Sequence, residues 1–272
     1  VPAAPGASAR RADGRRQLRR LPCACLVFAA LAVAACSRGA EPRRLIEALP
    51  GEYPEVVYFV PTGLCAVALT IDDGPDAQTT PALLDALRAH GATATFFLIG
   101  SRIAGNETLV TRMLAEGHEI GHHMMEDRRT FLLPDDDLRR RFDEAAALLE
   151  GFGDIQWFRP GSGLYNDTVL ALTRERGYRI ALASVFPMDT LVASPETMSA
   201  YIENAIEPGS VVVLHDFGAR GRRTADTLER LLPALARRGY GVTSLGGLER
   251  ANRDPDAAPW GRRPCGAPAP GS

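Results

Sequence analysis

Val67-Ala68-Leu69-Thr70-Ile71, followed at once by Asp72-Asp73-Gly74-Pro75, decides how the rest of the chain is read. Five uncharged residues, three of them β-branched, read as a strand buried on both faces, the pattern of a parallel sheet covered by helices. Successive strand side chains point to opposite faces, so two adjacent carboxylates would normally diverge. The Gly-Pro turn that follows can bend the chain so that both reach one mouth. Asp-Gly is also an ordinary turn signal. A doubled Asp ending an apolar strand favours chemistry over a turn alone.

Working outward, similar runs recur at 94–99, 119–122, 155–158, 179–184, 210–214 and 241–245, with amphipathic helical patterns between them. Thr80-Pro81 opens one helix, with Pro in the first turn. Pro134-Asp135-Asp136-Asp137 opens another, its acids complementing the helix dipole. In that helix Leu138, Phe142, Ala145, Ala146 and Leu149 recur at helical spacing. Ser194-Pro195-Glu196 opens a third, and a long helix is expected over 224–238. This alternation gives an α/β domain of about seven parallel strands, open or closed into a barrel, over 55–250. No internal repeat or second domain is visible.

In such folds chemistry gathers at the C-terminal ends of strands. Asp72-Asp73, His122-His123, Arg159, Asp189 and His215-Asp216 all follow predicted strands. Five strands delivering Asp, His and Arg to one rim are hard to explain by packing. His123 and Asp127 are four apart, one helical turn, so both can face one ion. Imidazole nitrogen and carboxylate oxygen suit zinc or a similar divalent metal. Glu126 is a weaker ligand candidate. His118 and His122 read as structural, and His90, closing a helix before Gly91, is assigned no role.

The chain has 272 residues, 46% hydrophobic and 24% charged, an ordinary globular composition. All 31 basic residues are Arg. Without Lys, Schiff-base and pyridoxal-phosphate chemistry and the Walker phosphate loop are excluded. The net charge of -2 gives no reason to expect nucleic acid.

Residues 9–20 are Arg-rich, and an apolar run follows at 25–35. Eleven residues are too few to span a bilayer, which needs about 20, but suit a secretory h-region behind a positive n-region. Val33-Ala34-Ala35-Cys36 resembles a bacterial lipobox, with Cys36 as the lipidation site. The expected organisation is a lipoprotein signal peptide over 1–35, a linker over 36–54, the domain over 55–250, and a disordered Pro/Gly-rich tail over 251–272. The protein would then be exported and membrane-anchored on the periplasmic side of the cell envelope. Residues after 35 carry 25 Arg against 32 acids, a balance of -7. Cys65 and Cys265 are the thiols left beyond the lipobox, and an oxidising compartment would allow them to pair.

The chain resembles the polysaccharide deacetylases (the NodB-homology, or carbohydrate esterase family 4, domain) across about 66–248. Their first motif, T-F-D-D-G-P, reads Thr70-Ile71-Asp72-Asp73-Gly74-Pro75 here. Their second, G-H-E-I-G-N-H-[ST]-x-x-H, is matched by Gly117 to Gly121, with His122 at the Asn and His123 at the first ligand His. Phe158-Arg159-Pro160 opens the third, and Val213-Leu214-His215-Asp216 is the fifth. The resemblance implies a distorted (β/α) barrel. It also implies a metal-dependent hydrolase removing N-acetyl groups from an amino-sugar polymer, whether peptidoglycan, chitin-like or exopolysaccharide.

By the same resemblance Asp72 is the general base, held by Arg159, and His215 the general acid, tuned by Asp189. Asp73, His123 and Asp127 would hold one divalent metal ion, and Pro160, Tyr165 and Leu214 would line the sugar groove. The implied partners are the N-acetylated polysaccharide and, through Cys36, the membrane; no nucleic acid or protein partner is implied.

Three departures stand out. Asp127 occupies the place of the last ligand His, Gly161-Ser162-Gly163 replaces the usual Pro-Tyr-Gly, and the fourth motif is reduced to Phe186-Pro187-Met188-Asp189-Thr190, without its Trp. An extra carboxylate ligand shifts preference from zinc toward harder ions such as manganese, cobalt or magnesium. Two other readings are kept: a catalytically impaired carbohydrate-binding relative, and a metal amidase acting on a small non-sugar amide.

Overall fold

The computed structural model describes residues 53–187, 189, 194–258, 260 and 265. The expected signal peptide, Cys36 and nearly all of the linker lie outside the described residues.

Eight parallel strands form the sheet: β1 (Val56–Val57), β2 (Ala66–Asp72), β3 (Thr95–Leu98), β4 (Glu119–His122), β5 (Trp157–Phe158), β6 (Arg179–Ala181), β7 (Val211–His215) and β8 (Gly241–Thr243). They run in the order β1-β6-β5-β4-β3-β2-β7, with β8 paired to β2. The seven expected strands are present, and β1 is added. The chain leaving β6 turns back the edge: Ser184 and Val185 N–H groups both donate to Val211 O, and Val213 N–H donates to Val185 O, each at 3.1 Å. This segment joins the β6 side to β7 and curls the sheet into a distorted (β/α) barrel.

Helices α1 (Thr80–Ala89), α2 (Glu107–Ala115), α3 (Asp135–Glu150), α4 (Asp167–Glu175), α5 (Pro195–Ala205), α6 (Gly218–Arg237) and α7 (Leu245–Arg253) follow the strands. Their starts are chemically marked. Asn166 accepts from Val169 N at 3.0 Å and Ser244 from Gly247 N at 3.1 Å, each satisfying a first-turn donor. α6 begins at Gly218 rather than 224, because Asp76 Oδ2, far away in sequence, accepts the Gly218 N–H at 3.1 Å. Local sequence offered only a Gly-rich start.

β2 is buried at every position, and its alternation sorts the interior. Val67, Leu69 and Ile71 pack outward against α1, α5 and α6, while Ala66 and Ala68 join the inner cluster with Phe97, Trp157, Leu245 and Leu248. Each fully buried Leu or Ile contributes about 1.5–3 kcal/mol. The inward register of β2 continues through Thr70 to Asp72, which brings that carboxylate to the barrel mouth.

The described residues after 250, namely 251–258, 260 and 265, are placed against the domain. α7 runs to Arg253 and a 3-10 turn covers Pro255–Ala257. Trp260 packs against the inner cluster, on Gly241, where a Cβ would meet its ring at 2.4 Å. Cys265 forms a disulfide with Cys65, their Cα atoms 5.0 Å apart. Pro and Gly content hid two anchors, one aromatic and one covalent.

Candidate active site

The mouth of the barrel holds a cavity of about 210 Å³, lined by Asp72, Asp73, His123, Asp127, Arg159 and His215, with Ser162, Gly163, Leu182, Ala183, Phe186, Val213 and Arg220. Both carboxylates of the doubled Asp reach it. The reversal lies at Asp73 itself, whose φ of 74° is a left-handed conformation that Asp tolerates better than most residues. Gly74 follows because a Cβ there would stand 2.8 Å from Asp216 Oδ2. Met124 and Ser162 also have positive φ; Ser162 lines the cavity, and Met124 directly follows the cavity-lining His123. Held backbone strain of this kind is concentrated at functional sites.

Arg159 follows β5 and is buried. Its Nη1 donates to Asp72 Oδ1 at 2.7 Å and to Thr70 Oγ1 at 2.8 Å; Nε and Nη2 donate to the Ala181 and Leu182 carbonyls at 2.8 and 2.9 Å. The guanidinium also lies 4.2 Å above the Phe97 ring. Burial pulls the Arg159 pKa down and the charge of Asp72 opposes it. A guanidinium remains protonated in such a site. Asp72 is therefore fixed in orientation.

His123 Nδ1 lies 2.7 Å from the Arg159 carbonyl, which makes Nδ1 the protonated nitrogen. Nε2 is left as a lone pair, 3.7 Å from Asp73 Oδ1 and 4.0 Å from Asp72 Oδ2. Across the mouth His215 Nδ1 meets Asp189 Oδ2 at 2.6 Å. Burial lowers the His215 pKa, but the hydrogen bond and charge of Asp189 prevail, helped by Asp72 and Asp73, and the net shift is upward. Asp216 is pushed up to about 7, by burial first and then by Asp76 and Asp73, against the hydroxyls of Thr79 and Thr80 that donate to it.

The structure corrects the expectation for Asp127. Residues 123–129 form no helical turn; the chain leaves β4 through Met124 in the left-handed region and bends. Met124 and Met125 carbonyls instead accept from Gly100 and Ser101 N–H at 2.9 and 3.0 Å. Asp127 reaches the cavity wall, but among the described residues no three His, Cys, Asp or Glu side chains close on one point. The His123 Nε2 lies 3.7 Å from Asp73 Oδ1, with Asp127 in the cavity wall, and nitrogen with carboxylate oxygen is the donor chemistry that divalent cations take.

Three groove assignments also change. Leu214 lies in the outer core, since strand alternation turns Val213 to the cavity instead. Tyr165 packs in the cluster with Phe158 and Leu170. Pro160 is buried as the lead-in to the 161–163 turn and does not line the cavity. Phe186 and Arg220 were not anticipated. The second comes from the first turn of α6, ahead of the expected helix start at 224.

The other histidines are structural. His122 stacks on Phe142 at 4.2 Å; its Nδ1 accepts from Met124 N and its Nε2 lies 3.0 Å from Phe142 O. Burial drives both His122 and His118 down to about 4, so both are neutral.

The chain is similar to known proteins over most of its described length. The family model described as polysaccharide deacetylase matches residues 60–181. A peptidoglycan-N-acetylglucosamine deacetylase of Bacillus cereus is 35% identical over 198 residues, covering 72% of this chain and 93% of that protein. A chitooligosaccharide deacetylase of Sinorhizobium fredii is 32% identical, covering 68% and 92%. Among solved structures, a family 4 acetyl xylan esterase from Clostridium thermocellum, in complex with a cobalt ion, superposes with a TM-score of 0.64 at 26% identity, covering 68% of this chain and 90% of that one.

Proposed function

The chain belongs to the polysaccharide deacetylase family of carbohydrate hydrolases, and we propose that it removes N-acetyl groups from an amino-sugar polymer of the cell envelope, with a divalent metal ion. The observation that carries this reading is the pairing of Arg159 with Asp72 beside His123, opposite the His215–Asp189 pair. A carboxylate aimed by a guanidinium and an imidazole whose pKa is raised beside a second carboxylate face one cavity, the placement that the base and acid of an amide hydrolysis require.

Asp73, His123 and Asp127 would hold the ion, which when bound supplies Lewis-acid polarisation of the acetyl carbonyl. Asp72 takes the proton of the attacking water. Arg159 keeps that carboxylate aimed, its Nη1 donating to Oδ1 at 2.7 Å. His215 hands the proton on its Nε2 to the departing amine, since an amide nitrogen leaves poorly as an anion. Asp189, on Nδ1, fixes the tautomer and supports the protonated ring.

Export with lipidation at Cys36 is part of the same reading. The Cys65–Cys265 disulfide supports it, because such bonds persist in oxidising compartments. The altered Asp127 position favours one competing reading, a sugar-binding protein with little turnover, and a family 4 pseudoenzyme is among the structural neighbours, its activity-restored mutant superposing with a TM-score of 0.66 at 25% identity.

The test is acetate release from chitooligosaccharides, peptidoglycan and a panel of small amides, with and without chelator. Chelator-sensitive release from a glycan supports the proposal. Release from small amides alone, or none from any substrate with metal bound, overturns it.

A further inference from the structure

Arg220 is the second guanidinium of the catalytic cavity, and the chemistry above makes no use of it. Arg159 commits four of its five N–H donors, to Asp72, Thr70 and two backbone carbonyls. Arg220 differs: its side chain is 28% exposed, and among the described residues its partner is Asp73 Oδ2 at 3.3 Å. A guanidinium carries five N–H donors in a planar fork, so one contact leaves most of them directed elsewhere.

Its position is not explained by helix stability. α6 opens Gly218-Ala219-Arg220-Gly221-Arg222-Arg223, with no acid in its first turn. Positive charge at a helix N-terminus opposes the dipole. It also opposes the sign of the domain, since residues after 35 balance at -7. Phe217, just before the helix and two residues after His215, keeps 44% of its surface exposed although the Arg102 guanidinium lies 3.7 Å above its ring. A large exposed aromatic two residues beyond the cavity-lining His215 suits the apolar face of a pyranose.

We infer that this mouth selects an amino-sugar chain carrying a carboxylate, with Arg220 as the residue that pairs with it and Phe217 as the platform beside it. The inference rests on the deacetylase reading of the same cavity and names its substrate class. Arg pairs bidentately with carboxylate, which gives direction as well as charge. The carboxylate has two possible sources: an acid ether on the N-acetylated sugar itself, or a uronic acid on the adjoining sugar.

Three tetrasaccharide probes separate these: neutral chitotetraose, a glycan fragment containing N-acetylmuramic acid, and a hyaluronan fragment. For the wild-type protein, kcat/KM on one carboxylate probe should exceed that on chitotetraose by ~10-fold at low salt, through KM, and the gap should shrink in about 0.5 M NaCl. Arg220→Gln should bring the ratio toward one, and Arg220→Lys should restore part of it. The exposed Arg222→Gln should leave the wild-type ratio. Preference for chitotetraose, or an equal loss on all three probes in Arg220→Gln, overturns the inference. Calorimetric binding of the same probes to Asp72→Asn protein reads the preference without turnover. Acetate release from no probe would therefore overturn the deacetylase reading, while the binding ratio still decides the role of Arg220.

Discussion

Nδ1 of His215 and Oδ2 of Asp189 lie 2.6 Å apart, although 26 positions separate them in sequence. The contact outweighs burial and raises the pKa of the imidazole. Asp189→Asn removes the charge that supports the protonated ring. The alkaline limb of the kcat profile should move to lower pH, with a loss of about 10- to 100-fold above that limb. An unmoved limb would remove Asp189 from the mechanism.

The buried Arg159–Asp72 pair predicts a non-additive pair of variants. Arg159→Gln leaves Asp72 buried without its cation and should cost about 3–5 kcal/mol of stability. Asp72→Asn should abolish turnover by about 10²-fold or more. The double variant should recover stability relative to Arg159→Gln without recovering activity, a coupling that urea denaturation and acetate release resolve together. Additive stability losses would show that the two groups act independently.

Acid should unfold the protein through its neutral histidines. His118 and His122 have folded-state values of about 4 against 6.5, so the unfolded chain binds more protons as pH falls between those values, and stability is lost there. Asp216, raised to about 7 from 3.8, acts in the opposite sense over an overlapping window. Two protons against one leave a net loss of about 1.4 kcal/mol per pH unit from these three groups. His122→Asn should flatten the profile by about that slope, whatever its effect on absolute stability. Denaturant midpoints at several pH values between 4 and 6.5 measure it.

What the sequence made legible follows the range of the forces involved. Strand cores and the starts of α1, α3 and α5 were readable because alternation, Pro in a first turn and Asp beside the dipole are local signals. The start of α6 was not, since its cap comes from Asp76, across the fold. The doubled Asp announced a site, but its geometry depends on the left-handed Asp73, which no pattern marks. Asp127 was misread as helical because i,i+4 spacing says nothing unless a helix is present. Leu214 was placed in the groove by motif position, whereas the pleat gives that place to Val213. Arg220 was one Arg among 31, and only its position at the mouth distinguishes it.

Asp127→His should put a second imidazole in the proposed metal set, beside His123, and tighten zinc binding by about 10-fold, since imidazole suits zinc better than carboxylate does. Asp127→Ala should weaken binding of any divalent ion. Metal content after dialysis and cobalt absorbance titration read both. Undiminished metal content and activity in Asp127→Ala would remove Asp127 from the site.

Cys265→Ser should lower stability by about 2–4 kcal/mol, because the bond closes a loop of 200 residues in the unfolded chain. Acetate release at moderate temperature should persist, as the disulfide lies on Cys65, at the opposite end of β2 from Asp72. A wild-type melting temperature insensitive to reductant would show that the bond contributes nothing.

The same bond changes what a break in the chain means. Every loop at the mouth lies between Cys65 and Cys265, so the barrel is topologically a ring. A single proteolytic cut in any of those loops opens the ring but yields one molecule, its fragments still covalently joined and its core still shared. A barrel closed in this way keeps the loops of its mouth without being divided by the first nick in one of them.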